Sequence, residues 1–575
     1  MEGTVNLNKE GRRMKKFYKN LMLVMIPMLV LSITAINYKS SAASTIKIGI
    51  LFPKYLPQGG GGFGGSGKGG LYDGAQMAAQ EINAAGGINV GGTKENIVLD
   101  FQDEGALDPT LVPPNYNTAV SQASMTAMLT GGDQFIIGGF RTESTTAALS
   151  TLQAWNTGGN TPVPFFICGA ATTTLINNTA PGGQWVFRVT PVNDTQLFYT
   201  VADYIKQYLA PKLAAMYTNA TYPPETPGQF RYALISEQLS WTTSMSYALT
   251  APAGAVPGLP GYSYFLGPYV NTSGVQGAPF PGLSQVAASG YDFTSLVSTL
   301  NSQHVHLIID VFTMPEVNSL IQAVKAANMP AMVVGIDVPG QQQSHFSDTS
   351  GAAEGECFLC WSGTGTPIVA GLTDVFFKNF CNFSGGYWPM YTASGAWDAM
   401  YGLKDAIERA GSTDPNVVLP AIQSTLRVAT TGEFQYASND VWANSHGINW
   451  TLYQDKPYGW ARSEMVQWVK NATAPSPPYP NVGAQMNCIS PVDQAYSRKT
   501  QIPASMYPLE QFDIDMNGKV GLSDLVSLAR AYGTKPGQTL WNLNCDLDYN
   551  GAIGLSDLVL LAGKYGQSAP QWPLR

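Results

Sequence analysis

Short apolar runs alternate with longer amphipathic segments along most of the chain. Residues 46–51 (IKIGIL) form a continuous apolar run typical of a buried parallel strand. Residues 71–85 then carry apolar side chains at helical spacing and end at Gly86-Gly87. The same alternation predicts strands at 97–101, 134–138, 164–168, 232–236, 305–311 and 331–335, and helices at 144–155, after Trp241, at 293–303 and at 316–327. The pattern therefore predicts doubly wound α/β lobes, in which ligands bind at the carboxyl ends of the strands.

The N-terminal segment has the pattern of an export signal. Five basic residues between Arg12 and Lys19 precede an apolar run at 21–36, and small residues follow at Ser41-Ala42-Ala43. We expect a signal peptide over residues 1–43, cleaved after Ala43, and an extracellular or cell-surface location. A retained membrane anchor is the alternative, although a run of 16 residues is short for a span. No cysteine near the cleavage point offers a site for lipid attachment.

Composition narrows the class of protein further. The 575 residues are too many for one hydrophobic core, and only 12% of them are charged. A formal charge of −8 without a basic run in the body of the chain argues against a nucleic-acid partner. Seven Asn-x-Ser/Thr sequons fit a surface glycoprotein; they begin at Asn177, Asn193, Asn219, Asn271, Asn382, Asn449 and Asn471.

Export also changes the expected chemistry of the six cysteines. Outside the cytoplasm they favour disulfides over metal ligands. Proximity in sequence makes Cys360 and Cys381 the first choice for a pair, with Cys357 as the alternative partner of Cys381.

The C-terminal segment contains an internal repeat with the ligand pattern of a calcium loop. The segment that begins DIDMNGKVGLSD at Asp513 recurs 33 residues later as DLDYNGAIGLSD. Oxygen ligands at loop positions 1, 3, 5 and 12, with a backbone carbonyl at position 7, suit a hard cation. The predicted ligands are Asp513, Asp515, Asn517, Lys519 (carbonyl) and Asp524 in the first loop, and Asp546, Asp548, Asn550, Ala552 (carbonyl) and Asp557 in the second. We therefore expect two Ca²⁺ ions.

These loops, each followed by a short apolar helix, resemble a type I dockerin over residues 508–575, with Asp at position 12. The resemblance implies a small all-α module of EF-hand type. It also implies a cohesin-like partner, which would contact Leu522-Ser523 and Leu555-Ser556 at positions 10 and 11 of the loops.

The larger part of the chain resembles the Leu/Ile/Val-binding family of type I periplasmic binding proteins, which serve ABC importers. The resemblance spans about residues 46–470 and is carried by 46–50, Gly74-Ala75, 81–88, Asp103, Asp108-Pro109, 137–139, 169–172, 291–296, Pro315-Glu316 and Gly335. It implies a two-lobed domain at 44–472, with lobe 1 at about 46–191 and 338–430 and lobe 2 at about 192–337 and 431–472. A proline-rich linker at 473–507 then leads to the module at 508–575.

The resemblance also implies where a ligand binds. In the first lobe, Thr142, Ser144, the backbone of Ala170, and Thr172 match positions that hold an amino-acid carboxylate. In the second lobe, Trp241 matches a ring that closes over the ligand, and Thr313 stands where the family often has Tyr. Asp337 matches the acid that holds the ligand's ammonium group. An amino-acid-like ligand and an ABC permease are therefore the expected partners.

Two other readings of the chain remain. Residues 62–69 nearly spell a phosphate-binding loop, but Gly69 replaces the Ser/Thr that would hold magnesium, so we expect a flexible loop at the cleft mouth. No catalytic constellation is found, which favours a binding protein over an enzyme. The alternative to an importer receptor is a surface-attached ligand sensor or scaffold component, held through the C-terminal module.

Overall fold

The computed structural model describes most of the chain after the N-terminal segment. The described residues are 44–54, 69–106, 116–190, 193–209, 213, 231–236, 239, 241–242, 270–271, 293–302, 305–313, 315–361, 369, 371–436, 446, 463–470, 484–490, 511–515, 517–535, 538–548 and 550–568. The predicted signal peptide, the glycine loop at 55–68, and most of the segment after Trp241 lie outside them.

The first lobe is built on a six-stranded sheet with the order β2-β3-β1-β4-β5-β6. Its strands are β1 Thr45–Phe52, β2 Ile88–Val90, β3 Thr93–Asp103, β4 Phe135–Gly138, β5 Phe165–Ile167 and β6 Val186–Arg188. All neighbours are parallel except β2 and β3. The apolar run in β1 forms a central strand because its side chains are buried on both faces.

The second lobe is built on a seven-stranded sheet with the order β15-β14-β11-β10-β9-β7-β8. Its strands are β7 Arg231–Ser236, β8 Val270–Asn271, β9 Leu307–Phe312, β10 Met332–Asp337, β11 Cys357–Cys360, β14 Glu464–Lys470 and β15 Ala484–Ser490. The strands from β11 to β8 run parallel, whereas β14 and β15 are antiparallel additions at one side. A separate hairpin joins β12 Leu426–Ala429 to β13 Gly432–Gln435.

Helices connect and cover these sheets. They are α1 Leu71–Ala84, α2 Thr118–Thr130, α3 Thr142–Thr157, α4 Asp194–Tyr204, α5 Phe293–Ser302, α6 Val317–Ala326, α7 His345–Asp348, α8 Thr373–Ser384, α9 Tyr391–Ala410, α10 Pro415–Gln423, α11 Leu522–Ala531 and α12 Leu555–Ala562. Helix α9 packs closely against α1. Gly74 permits this approach, since a Cβ there would lie 2.1 Å from the carbonyl oxygen of Ala393.

The predicted strands and the predicted helices at 71–85, 144–155, 293–303 and 316–327 are confirmed within a few residues of their expected bounds. The α/β layering is therefore correct. Helices α2 and α9 and strands β14 and β15 are among the elements that the apolar pattern did not predict. In β14, polar Glu464 and Gln467 lie within a buried strand, so the apolar pattern there is interrupted.

The lobe boundaries differ from those predicted in two places. The return to the first lobe was expected at residue 338, but β11 is hydrogen-bonded to β10 in the second sheet. The chain returns with α9, which packs on α1. The linker was expected to begin at 473, but β15 at Ala484–Ser490 pairs with β14. Both errors arise from strand pairing between distant segments, which local composition does not report.

The structure also bears on the predicted disulfide, the glycosylation sequons and the possible membrane anchor. Cys381 is a buried free thiol, so the expected Cys360–Cys381 disulfide is not formed. Asn193 is only 4% exposed and caps α4, which closes that sequon to a glycan in this fold. Asn177 and Asn382 lie on the surface. Among the described residues, no helix is both long and apolar enough to cross a membrane.

Candidate ligand-binding cleft and paired acidic loops

A cleft of about 520 Å³ lies where the carboxyl ends of strands from both sheets meet. Its lining residues from the first lobe and α9 are Phe140, Arg141, Thr142, Gly169, Ala171 and Tyr391. Those from the second lobe are Leu197, Trp241, Thr313, Ile336, Val338, Gln341, Leu359 and Trp361. Most of these side chains are apolar or aromatic, and the one charged side chain among them, Arg141, belongs to the first lobe.

The polar end of the cleft lies at the start of helix α3. The Thr142 and Thr172 hydroxyls are 2.8 Å apart, which brings together two of the residues expected to hold a carboxylate. Thr142 is the first residue of the helix, where backbone N–H groups carry partial positive charge. Together, the hydroxyls and the helix start form a setting that favours an anion.

Arg141 adds a full positive charge to this end and was not identified from the sequence as a ligand residue. Its Nη1 donates to the Ala106 carbonyl at 3.2 Å, and its Nε lies 3.9 Å from Glu143 Oε2. The guanidinium also stands 5.4 Å from the Tyr116 ring centroid. Its Nε and Nη2 are buried and make no hydrogen bond within the described part of the chain. Nε and Nη2 can therefore each donate a hydrogen bond to a bound carboxylate.

A buried carboxyl group holds the Arg141 loop in place. Glu104 accepts hydrogen bonds from the Phe140 and Arg141 backbone N–H groups, at 2.7 and 3.0 Å, and from the Thr145 hydroxyl. Burial raises the pKa of Glu104 to about 8, although these three hydrogen bonds favour its ionised form. Glu104 thus fixes the backbone that presents Arg141 and Thr142.

A second buried charge shapes the loop after β5. Arg188 donates to the carbonyls of Ala170, Ala171 and Thr172. Burial lowers the pKa of this guanidinium to about 10. The Ala170 N–H donates to the Gly139 carbonyl at 2.8 Å, so both backbone groups of Ala170 are engaged within the protein. Ala171, rather than Ala170, lines the cleft.

Aromatic side chains form much of the remaining wall. The structure places Trp241 and Thr313 in the cleft, as the resemblance implied, and adds Trp361 and Tyr391. The Tyr391 hydroxyl donates to the Gly169 carbonyl at 3.1 Å. Trp361 Nε1 is buried and has no hydrogen-bond partner among the described residues. This indole N–H is therefore a further donor that a ligand could engage.

Besides Ala170, the predicted ligand residues Ser144, Thr172 and Asp337 are not among the residues that line the cleft. Ser144 is fully buried, and its hydroxyl donates to the Gly105 carbonyl at 3.4 Å. Asp337 ends β10, where Ile336 and Val338 line the cleft and the intervening side chain points the opposite way. Its carboxylate lies 3.5 Å from His345 Nε2. No acidic side chain is found among the described residues that line the cleft.

The acidic loops of the C-terminal segment are both described. Acidic ligand atoms lie within 4.8 Å of one another in each loop: Asp513, Asp515 and Asp524 in the first, and Asp546, Asp548 and Asp557 in the second. Gly518 and Gly551, at loop position 6, have φ values of 93° and 79°, which side-chain-bearing residues rarely adopt. The predicted ligand side chains are therefore brought together twice.

The two loops are related by matching backbone contacts. The Val520 N–H donates to the Gln567 carbonyl beyond α12, and the Ile553 N–H donates to the Thr534 carbonyl beyond α11. In the first loop, the Asp524 carboxylate also accepts from the Ile514 N–H at 2.6 Å. Each loop is thus hydrogen-bonded to the segment that follows the helix of the other loop.

Comparison with solved structures identifies the fold of the two lobes. The leucine-, isoleucine-, valine-, threonine- and alanine-binding protein from Brucella ovis matches with 16% identity and a TM-score of 0.52, over 77% of this chain and 94% of its own. A putative branched-chain amino acid ABC transporter from Silicibacter pomeroyi matches with 16% identity and a TM-score of 0.55, over 80% and 99%. An ABC transporter substrate-binding protein from Sphaerobacter thermophilus matches with 14% identity and a TM-score of 0.51, over 75% and 95%.

No family model and no curated protein sequence matches the chain. At these identities the likeness is one of fold. It confirms the two-lobed α/β architecture expected from the sequence.

Proposed function

We propose that this protein is an exported solute-binding receptor that captures a small carboxylate-bearing solute between its lobes and delivers it to an ABC importer. The observation that carries the proposal is the polarity of the cleft. Arg141 and Thr142 line one end, where the Thr172 hydroxyl lies 2.8 Å from that of Thr142, and the rest of the wall is largely apolar and aromatic. Such a cleft suits a solute with one anionic group and an apolar body.

The charge at the polar end favours a carboxylate over a neutral group. The Nε and Nη2 groups of Arg141 can donate two hydrogen bonds to one carboxylate. The Thr142 hydroxyl and the start of α3 add donors on the same side. A sugar would require a larger number of polar partners than this lining supplies.

An amino-acid-like solute remains the class that the sequence favours, but its ammonium group has no acidic partner in the described lining. Hydroxyl and carbonyl oxygens at Thr313 and Gln341, together with the aromatic faces of Trp241 and Tyr391, are what the cleft offers a cation. We therefore expect the carboxylate to contribute more to affinity than the ammonium group does.

Matched ligands test this expectation. Calorimetric titrations should compare leucine with 4-methylpentanoate, which lacks the ammonium group, and with leucinamide, which lacks the carboxylate. The same series should be repeated with phenylalanine, 3-phenylpropanoate and phenylalaninamide. We expect each carboxylate-bearing compound to bind at least about tenfold more tightly than the amide, because the amide offers Arg141 Nε and Nη2 no carboxylate to which they could donate. Tighter binding of the amides would contradict the proposal.

A variant separates the cleft from non-specific binding. Arg141→Gln removes the charge but keeps hydrogen-bonding capacity, and we expect it to weaken carboxylate binding by about 2–3 kcal/mol. Arg409→Gln is the matched control, since Arg409 is exposed and donates to the Ala421 carbonyl away from the cleft. Equal affinity of both variants for the carboxylates would exclude Arg141 as a ligand residue.

We also propose that the paired acidic loops bind two Ca²⁺ ions. Each loop offers two Asp side chains and one Asn side chain, the carbonyl of Lys519 or Ala552, and the position-12 carboxylate of Asp524 or Asp557. Without a cation, three carboxylates in each loop repel one another. Titration of chelator-treated full-length protein should give about two ions per chain.

Single variants assign the ions to their loops. Asp513→Ala and Asp546→Ala should each remove one ion, whereas Glu354→Gln, on an exposed side chain outside the loops, should remove none. Two ions in both Asp variants would contradict the assignment.

A second candidate function for the same segment is attachment to a cohesin-like surface protein, which would make the molecule a tethered sensor or scaffold component. The supporting observation is an exposed apolar face, with Leu522 at 67% and Leu555 at 66% exposed, each at the start of its helix. Titration with type I cohesin domains in Ca²⁺ tests it. Binding that survives Leu522→Asp combined with Leu555→Asp would refute the assigned face.

A further inference from the structure

Four ionisable side chains are buried together in the second lobe, behind the wall of the cleft. Asp310 lies on β9, Asp337 at the end of β10, His345 at the start of α7, and Glu356 just before β11. Each is at most 3% exposed. Neither the proposed transport function nor the acidic loops explain why three carboxyl groups and one imidazole are placed in the protein interior.

The side-chain atoms of three of these residues converge on one point. His345 Nε2 lies 2.7 Å from Glu356 Oε2 and 3.5 Å from Asp337 Oδ2. One oxygen or nitrogen from each of the three residues lies within 4.8 Å of the others. Two donors bound to one tetrahedral metal ion at about 2.0–2.2 Å are about 3.5 Å apart. The cluster is therefore close to the size of a metal site, and a small movement of Glu356 away from His345 would open it.

The cluster has more negative groups than the described residues balance. Both Asp310 oxygens, Glu356 Oε1 and His345 Nδ1 are buried without a hydrogen-bond partner in the part of the chain that the structure describes. Within that part, His345 is the one basic side chain that forms an ion pair with Asp337 or Glu356. Buried carboxylates without a counter-charge are costly, so the cluster must bind a cation or retain protons.

We propose that Asp337, His345 and Glu356 bind a divalent transition-metal ion, whose two positive charges balance the two carboxylates among its ligands. One imidazole with carboxylates suits Zn²⁺ better than Ca²⁺ or Mg²⁺, which prefer all-oxygen sites. The ion would replace the His345–Glu356 hydrogen bond. It would also fix Asp337 at the end of β10, between Ile336 and Val338, which line the cleft.

Metal binding would change the protonation of the cluster. Burial raises the pKa of Glu356 to about 8, and burial together with Glu356 raises the pKa of Asp337. Burial lowers the pKa of His345, which keeps its imidazole neutral and able to act as a ligand. Metal binding would therefore displace protons that otherwise reduce the charge repulsion.

Zinc retention by full-length protein tests the site. Chelator-treated protein is dialysed against Zn²⁺ with excess Ca²⁺ to occupy the acidic loops, then desalted and measured by elemental mass spectrometry. We expect about one Zn²⁺ per chain from a single three-residue site. Substitution by Co²⁺ should give the visible absorption of a tetrahedral ion with nitrogen and oxygen ligands.

Two variants and a matched control decide whether the cluster holds the ion. Glu356→Gln keeps the size of the side chain and removes one of three buried carboxyl groups, so it should fold at least as well as the wild type. It should nevertheless lose at least about tenfold in zinc affinity. His345→Gln should also lose the ion, whereas His446→Gln should retain it, because both His446 ring nitrogens already have partners in Val186 and Gln423.

Three outcomes would overturn the proposal. They are the absence of zinc in the wild type, zinc content unchanged by both cluster variants, and zinc content lowered equally by His446→Gln.

Discussion

Arg188 provides a quantitative test of how the fold holds the cleft. Its guanidinium donates to three successive carbonyls, of Ala170, Ala171 and Thr172, in the loop that follows β5. In Arg188→Met the side chain keeps much of its volume but makes none of these hydrogen bonds. The Ala170 carbonyl then loses this donor without a replacement, whereas the Ala171 and Thr172 carbonyls keep only the backbone N–H groups of Asp194 and Leu175.

The magnitude follows from two opposing effects. Hydrogen bonds to a charged donor contribute about 1.5–3 kcal/mol each, and three are lost. Removing the charge relieves the cost of burying it. The pKa lowered from 12.5 to about 10 corresponds to roughly 3 kcal/mol of that cost. The lost hydrogen bonds outweigh this relief, so we expect the variant to be less stable by about 2–5 kcal/mol.

Urea unfolding of the wild type and of Arg188→Met measures this difference in stability. Calorimetric titration of both proteins with a carboxylate ligand, chosen from the compounds compared above, measures the effect on the loop after β5. We expect the variant to bind that ligand at least about tenfold more weakly, because Ala171 and Thr172 lose their support. The stability and the ligand affinity of Arg188→Lys should lie between those of the wild type and Arg188→Met, since one ammonium group reaches fewer carbonyls. An Arg188→Met protein with wild-type stability would refute the argument that the three carbonyls depend on this charge.

Three further expectations follow from the same contacts. Gly74→Val should destabilise the first lobe by at least about 2 kcal/mol in calorimetry, because its Cβ would overlap a carbonyl of α9, whereas Gly563→Ala should have little effect. The pKa of buried Asp398 is raised from 3.8 to about 6, so its stabilisation is complete below pH 4 and is lost as the pH rises through 6. Relative to Asp398→Asn, the wild type should therefore lose about 3 kcal/mol between pH 4 and pH 8 in urea unfolding, and a constant difference would contradict this. Thr142→Val removes the hydroxyl contact with Thr172 and should weaken carboxylate binding by about 1 kcal/mol in calorimetry, whereas unchanged affinity would show that the hydroxyl does not contact the ligand.

Local patterns were sufficient to predict the layers of the fold. The apolar run of β1 and the helical spacing of α1 depend on residues that are neighbours in sequence, and both elements form as expected. The acidic loops also depend on residues that lie close together in the sequence. Asp513 and Asp524 are eleven positions apart within one short loop, and a glycine with positive φ closes the turn between them. Such features are set by the local chain and are therefore visible in the sequence.

The tertiary structure alone decided which groups meet across the lobes. The pairing of β14 with β11 and with β15 joins segments that local composition separates, so the lobe boundaries could not be predicted from it. Arg141 is followed by the predicted Thr142, but only the fold buries its guanidinium at the cleft, where Nε and Nη2 make no hydrogen bond to the described residues.

Asp337 shows the same limit at the level of one side chain. The sequence places it at the end of a strand, where ligands of such sheets bind. The direction of its side chain depends on which face of β10 meets the cleft and which meets His345 and Glu356. Adjacent side chains in a strand point to opposite faces, so one position separates a cleft residue from a buried one. That choice is made by the packing of distant segments, which the sequence by itself does not reveal.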